Sequence, residues 1–394
     1  MASSACVERA PGPAGANAPF NMTPATGTAR NHGLDTLRAL AIVLVFMNHY
    51  LLFVSDGGAF GFLGEAGWIG VDLFFGLSGY LIGNQIVAAL RSGRPFSLKN
   101  FYARRLLRTL PNFYVVLALY ACWPAWRGNA AMLPLWKYLS FTQNINLTPG
   151  TVFSHAWSLC VEEQFYLLLP ALALLIAARR RSLAWAWGAL AAGIAAGMLL
   201  RAYIWDDYVG HARGGLAYYK YIYYSSLCRC DELLAGVALA LLKNHHPRAW
   251  ARATAHGNRS LLAGLGCAAL SIYLFLGDRY GYAVSVFGYP LLAASVALLI
   301  LSALSPASLL RRTRVPGAAS LALWSYALYL THKQLCILLK PVCMAWGMGP
   351  DTAPAMLAMA AASVAAGWLL YRLVETPFMR LRQRHVPSNF AWPA

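Results

Sequence analysis

The sequence predicts an all-α integral membrane protein: a polytopic bundle of about ten transmembrane helices with both termini in the cytoplasm. Three observations lead there. Of 394 residues, 59% are hydrophobic and only 12% charged, whereas soluble domains carry about 25% charged residues. The apolar residues come in long runs, and the stretches 284–304 and 183–200 contain no charge at all. A bilayer core about 30 Å thick takes about 20 helical residues to cross. Finally, the chain has a formal net charge of +18, but its basic residues alternate from one connecting segment to the next.

The expected spans are 37–54, 68–88, 107–124, 157–178, 183–202, 221–242, 260–276, 282–304, 318–340 and 354–372. With the N-terminus inside, most of the 32 lysines and arginines fall on the cytoplasmic side, among them Arg104, Arg105, Arg108, Arg179 to Arg181, Lys243 and Arg311. Outer loops hold fewer, including Arg201 and Lys333. This is the positive-inside bias. The basic balance therefore reports topology and gives no reason to invoke nucleic acid. Residues 1–33 are rich in Ala, Pro and Gly and are expected to form a disordered cytoplasmic tail. Residues 34–380 then form the membrane domain, and 381–394 a second cytoplasmic tail. The localisation implied is the inner (plasma) membrane of a bacterium.

The first span reads LDTLRALAIVLVFMNHYLLF, with Arg38 near its inner end and His49 eleven residues on. Eleven residues at 100° each bring both side chains to one helix face, about 16 Å apart along the axis. The second span carries Asp72 and Ser78 among Gly70, Gly76, Gly79 and Gly83, small residues that let helices approach closely. The fourth places Glu162, Glu163 and Gln164 after Trp157. The sixth carries Arg229, Asp231 and Glu232, and the ninth carries His332 and Lys333.

An ionisable group inside a span costs roughly 2.5–3.5 kcal/mol on insertion scales, so each is a functional candidate. Counted at 1.5 Å per residue, His49, Glu162, Asp231, Asp72 and His332 fall at depths of about 15 to 24 Å. That coincidence predicts one shared pocket. Plainer roles stand beside it. Asp231 could neutralise Arg229, Asp72 could bond a neighbouring helix, and Ser78 could bond its own backbone. Lys333 is expected to snorkel, and Trp68 and Trp157 fit an interfacial aromatic belt. The eight cysteines show no disulfide framework, and Cys228 and Cys230 lack zinc-motif spacing. No metal site is expected.

Four segments occur in order: LDTLR with His49 downstream, GVDLFFGLSGYLI, ARRLLRTLP and AWSLCVEEQFYLLLP. In this the chain resembles the acyltransferase family 3 membrane proteins, which include cell-surface polysaccharide O-acetyltransferases and macrolide acyltransferases. The resemblance runs from Leu34 to the VETPFMRLR ending. Thr36 stands where relatives often have Gly, and Lys333-Gln334 follows His332 where they have Trp-Pro-like residues.

The resemblance implies an O-acyltransferase that moves an acyl group, most simply acetyl, from cytoplasmic acyl-CoA to a hydroxyl of an extracytoplasmic glycan or glycolipid. No bound cofactor and no obligate protein partner are implied; acyl-CoA is a co-substrate. His49 and Glu162 would be catalytic, with His49 as base and Glu162 orienting it. Arg38, Arg105 and Arg108 would hold the donor. Asp35, Asp72, Ser78, Trp157, Glu163, Gln164, Asp231 and His332 would line the pocket. A covalent variant would use Ser78 or Cys160 as nucleophile. The rival class is a secondary transporter, which also needs ionisable residues at mid-membrane but usually shows inverted repeats.

Overall fold

The computed structural model describes residues 30–389 apart from positions 94, 129, 179–181 and 213. The tail expected over 1–33 therefore lies outside the described residues as far as position 29, as do Arg179 to Arg181. From Asn31 onward the described chain packs as one unit. Every regular element described is helical.

Helices overlap each of the ten expected spans, but the sixth, expected over 221–242, becomes a continuous helix only from Asp231, because residues 224–230 form turns. The helices are α1 (His32–Phe53), α2 (Ile69–Arg91), α3 (Leu98–Cys122), α4 (Trp157–Ala178) and α5 (Leu183–Ile204), then α6 (Asp231–His245), α7 (Gly257–Gly277), α8 (Tyr289–Leu304), α9 (Ala318–Ala345) and α10 (Ala353–Leu370). A last helix, α11 (Thr376–His385), follows α10 through a π-helical turn, where sequence placed the start of a tail. Seven of the spans are long and apolar enough to cross a membrane. The exceptions have local causes. Lys99, Arg104, Arg105 and Arg108 make the first half of α3 basic, α6 is only 15 residues long, and the buried polar run Thr331 to Gln334 interrupts the apolar sequence of α9.

Two of these helices start on side-chain caps. The Asn31 side chain accepts from the Leu34 amide at 3.2 Å, and Ser97 accepts from the Asn100 amide at 3.2 Å. Each such cap contributes about 1 kcal/mol.

The polarity of the bundle is inside-out. Leu199, Leu262 and Leu357 are about seven-tenths exposed, while Asp72, Arg201, Arg229 and Glu232 are completely buried. Water would penalise that arrangement on both counts, and hydrocarbon removes the first penalty.

Glycines set the tightest contact, between α2 and α6. A Cβ on Gly79 would stand 2.1 Å from the Leu233 carbonyl oxygen, and one on Gly236 would stand 2.3 Å from that of Gly76. The two backbones therefore touch, which brings Asp72 on α2 under Arg229, just before α6. In the same way, a Cβ on Gly70 would meet the Ala41 carbonyl oxygen at 2.4 Å, which holds α2 against α1.

Candidate active site

The anticipated single pocket resolves into an axial polar ladder and, apart from it, two buried ion pairs. Arg229 pairs with Asp72, and Arg201 donates to Asp231 at 2.6 and 3.1 Å. The reading that Asp231 neutralises Arg229 is thus corrected: each arginine has its own carboxylate. Arg201, expected in an outer loop, lies on α5 with no exposure. Rings of Trp157, Tyr223 and Tyr289 surround the Arg229 guanidinium at 5.2, 4.6 and 4.4 Å. Trp157 and Trp68 are both buried, so neither belongs to an interfacial belt. Glu232 lies close to Arg229 and Asp72, with neither of its carboxyl oxygens hydrogen-bonded.

The ladder is built by α1, α4 and α9. On α1, Arg38 and His49 share a face, with buried Ile42 and Val45 between them. On α4 and the turn before it, His155, Ser158, Glu162 and Tyr166 follow at spacings of three, four and four, which places them on one face. Both ladders cover eleven residues, about 16 Å. They run antiparallel: His49 meets His155 at one end, ring centroids 5.8 Å apart, and Arg38 neighbours Glu162 and Tyr166 at the other.

At the histidine end, His49 Nδ1 and His332 Nε2 are 2.8 Å apart, and His332 Nδ1 is 2.9 Å from the Leu328 carbonyl oxygen. A carbonyl only accepts, so His332 Nδ1 carries a proton. In the neutral ring its Nε2 then accepts from His49 Nδ1–H. That leaves His49 Nε2 as a lone-pair nitrogen with no hydrogen-bond partner among the described residues. Tyr329 donates to the His155 carbonyl at 2.5 Å and accepts from Ser158 at 2.7 Å, which links α9 to α4 beneath the imidazoles.

At mid-ladder, Glu162 accepts from Ser78 at 3.2 Å and from Tyr166 at 2.9 Å. Arg105 lies 3.9 Å from Glu162 and 3.8 Å from Glu163, with its guanidinium over the Tyr166 ring at 3.9 Å. Arg108 turns away to pair with Glu375, which also accepts from Asn112 at 2.8 Å. Arg105 and Arg108 are therefore not a parallel pair. No hydrogen bond among the described residues holds the Arg38 guanidinium, and its electrostatic neighbours are Arg108, Asp35 and Glu162.

Three expected roles change with this geometry. The side chain that hydrogen-bonds His49 is His332 and not Glu162, which accepts from Ser78 and Tyr166 two ladder steps from His155. Lys333 does not snorkel: it is 7% exposed, bonded to Ser154 Oγ at 3.3 Å and set over the Phe53 ring at 3.9 Å. Gln164 lies off the ladder and ties the preceding loop to α4, donating to the Phe141 carbonyl at 2.7 Å and accepting from Ser226 at 2.6 Å. Of the alternative nucleophiles, Ser78 faces a carboxylate, and Cys160 is completely buried with its thiol toward the Ala156 carbonyl. No three-residue metal-ligating group occurs among the described residues.

Sequence reading missed His155, Ser158, Tyr166 and Tyr329. The spacing of His155, Ser158, Glu162 and Tyr166 was the available signal.

An imidazole pair, His332 buried and His49 half-buried, and a carboxylate–guanidinium cluster inside an apolar bundle define a polytopic membrane protein with interior chemistry. Its kind follows from known sequences: the acyltransferase domain family matches residues 31–372, and the chain belongs to that family. It is similar to the peptidoglycan O-acetyltransferase OatA of Listeria monocytogenes, 28% identical over 88% of this chain and 55% of that protein. It is also 28% identical to Bacillus subtilis YrhL, named as a candidate peptidoglycan O-acetyltransferase, over 79% of this chain and 49% of YrhL. The chain thus spans about half the length of these relatives. No solved structure matches it.

Proposed function

We propose that the protein is a membrane O-acyltransferase that carries an acetyl-sized acyl group from a thioester donor to a hydroxyl of a cell-envelope glycan or glycolipid. The observation that carries this reading is His49 Nε2, an unengaged lone pair whose tautomer is set by His332. His49 takes the proton of the acceptor hydroxyl as general base. The hydroxyl oxygen attacks the thioester carbonyl, the carbon–sulfur bond breaks, and the thiolate departs toward Arg38 and Arg105. The proton on His49 then neutralises the thiolate or passes to solvent.

Acyl-CoA is the donor that the arginine end favours, because a guanidinium without a hydrogen-bond partner suits phosphate. With the arginine end cytoplasmic, donor and acceptor approach from opposite faces of the inner membrane. Glu162 holds Arg105 and Tyr166 in place between the two ends.

The test is thiol release from acetyl-CoA by the purified full chain in detergent, with and without peptidoglycan fragments. Wild type should release thiol, and His49→Ala should lose at least about 10²-fold, the usual share of a general base. Thiol release unchanged by His49→Ala would overturn the assignment.

A further inference from the structure

Lys333 is a cation without a counter-ion. No carboxylate among the described residues acts on it, and its contacts are a serine hydroxyl and a phenyl face. Its electrostatic neighbours are the imidazoles of His49, His155 and His332, none of which supplies negative charge. Two turns further along α9, Lys340 meets Asp56 at 2.8 Å, so the same helix does pair a lysine where a carboxylate is in reach. An unpaired charge in an apolar interior is costly, and a site that retains one is built to meet its opposite.

A second, independent observation points into the same space. His155 is 4% exposed, and neither ring nitrogen has a hydrogen-bond partner. Carbonyl oxygens of Tyr329 and Leu330 lie near the ring, but not in hydrogen-bonding geometry. The ring packs edge-on to His49 and His332, at centroid distances of 5.8 and 6.1 Å. Buried polar atoms in a native fold are nearly always bonded, so two on one ring mark a place for ligand atoms.

Position selects which substrate. Phe53 lies one turn beyond His49 on α1, on the side away from Arg38, and is 37% exposed. The Lys333 ammonium sits over that ring, so it stands outward of the base, beneath the rim at the histidine end. That is the approach of the acceptor in the reading above, on which this inference rests, and not of the donor.

We propose that Lys333 and His155 bind a fixed negative charge on the acceptor: the substrate is an anionic glycan or glycolipid, with a carboxylate or phosphate beside the hydroxyl that is acylated. Lys333 pairs with the anion, His155 bonds its sugar, and His49 faces the hydroxyl.

The test uses three matched probes: p-nitrophenyl β-D-glucoside, its 6-carboxylate counterpart (the glucuronide) and its 6-phosphate. Binding to the detergent-purified full chain is read by thermal shift and titration, which require no turnover. At least one anionic glycoside should bind wild type roughly tenfold more tightly than the glucoside, the scale of one charged hydrogen bond. The preference should vanish in Lys333→Met and Lys333→Gln and persist in Lys333→Arg. Equal binding of all three, binding of none, or a preference that survives Lys333→Gln would overturn the proposal. A neutral variant that binds the glycosides as wild type does but loses thiol release would assign the cation to the reaction's oxyanion, and would also overturn it. Selective anion binding in a protein that releases no thiol would instead sink the acyl-transfer reading alone.

Discussion

The His49 and His332 rings lie nearly parallel, 4° between planes, and share one proton across 2.8 Å between Nδ1 and Nε2. In the proposed reaction His332, with the Leu328 carbonyl behind it, would do for His49 what a carboxylate does in a catalytic triad: fix tautomer and orientation. His332→Ala should therefore lower kcat by about 10²-fold or more while leaving donor KM within a few fold. His332→Gln, whose amide oxygen can still accept from Nδ1–H, should recover part of that loss. Steady-state thiol-release kinetics of the two variants check this, and equal loss in both would show that the ring serves packing only.

Glu162 should separate from His49 kinetically. Its oxygens receive Ser78 and Tyr166, and its charge faces Arg105. Glu162→Gln keeps the shape and removes the charge, which frees Arg105 to shift. Donor KM should rise by about tenfold, the scale of one charged hydrogen bond. Acceptor KM should stay within a few fold. A fall confined to kcat, with both KM values unchanged, would place Glu162 at the reacting atoms instead.

The buried pairs should govern stability. Asp72→Asn leaves Arg229 charged and fully buried, and breaking such a pair costs about 3–5 kcal/mol. Thermal unfolding in detergent should fall sharply for Asp72→Asn and for Arg229→Met, and partly recover in the double variant. Simple additivity of the two single effects would show that the pair is not coupled.

The contact between α2 and α6 should tolerate no side chain. Gly79→Ala introduces a Cβ 2.1 Å from a carbonyl oxygen, and Gly236→Ala one 2.3 Å from another. Either should reduce the folded yield on size exclusion far more than Gly266→Ala, where nothing lies within 4 Å.

The helices were legible because bilayer thickness writes itself into run length, and the Arg38–His49 face because eleven residues return to one azimuth. Which groups meet was not legible. Asp72, Asp231, Arg201 and Arg229 come from three helices and one connecting turn, and depth along the axis says nothing about direction around it. Sequence therefore paired Arg229 with its near neighbour Asp231, where the fold pairs it with Asp72, 157 residues away. Glu162 at its estimated depth stood close to His49, but in the fold it is His155 that lies level with His49, and Glu162, seven residues on along the same face of α4, stands about 10 Å nearer the Arg38 end, beside Ser78. Lys333 looked like a snorkelling lysine because its neighbours Ser154 and Phe53 lie on other elements.

The two ladders, each eleven residues tall, also act as a ruler. In the proposed reaction, phosphates held at Arg38 and an acyl carbon presented to His49 would be joined by an arm on the scale of that axial rise, about 16 Å. A compact activated donor such as acetyl phosphate cannot touch both ends at once. A short thioester such as S-acetyl-N-acetylcysteamine would reach the imidazole only by giving up the arginines. On that reading, the spacing of two residues along one helix sets the length scale of the molecule that delivers the acyl group.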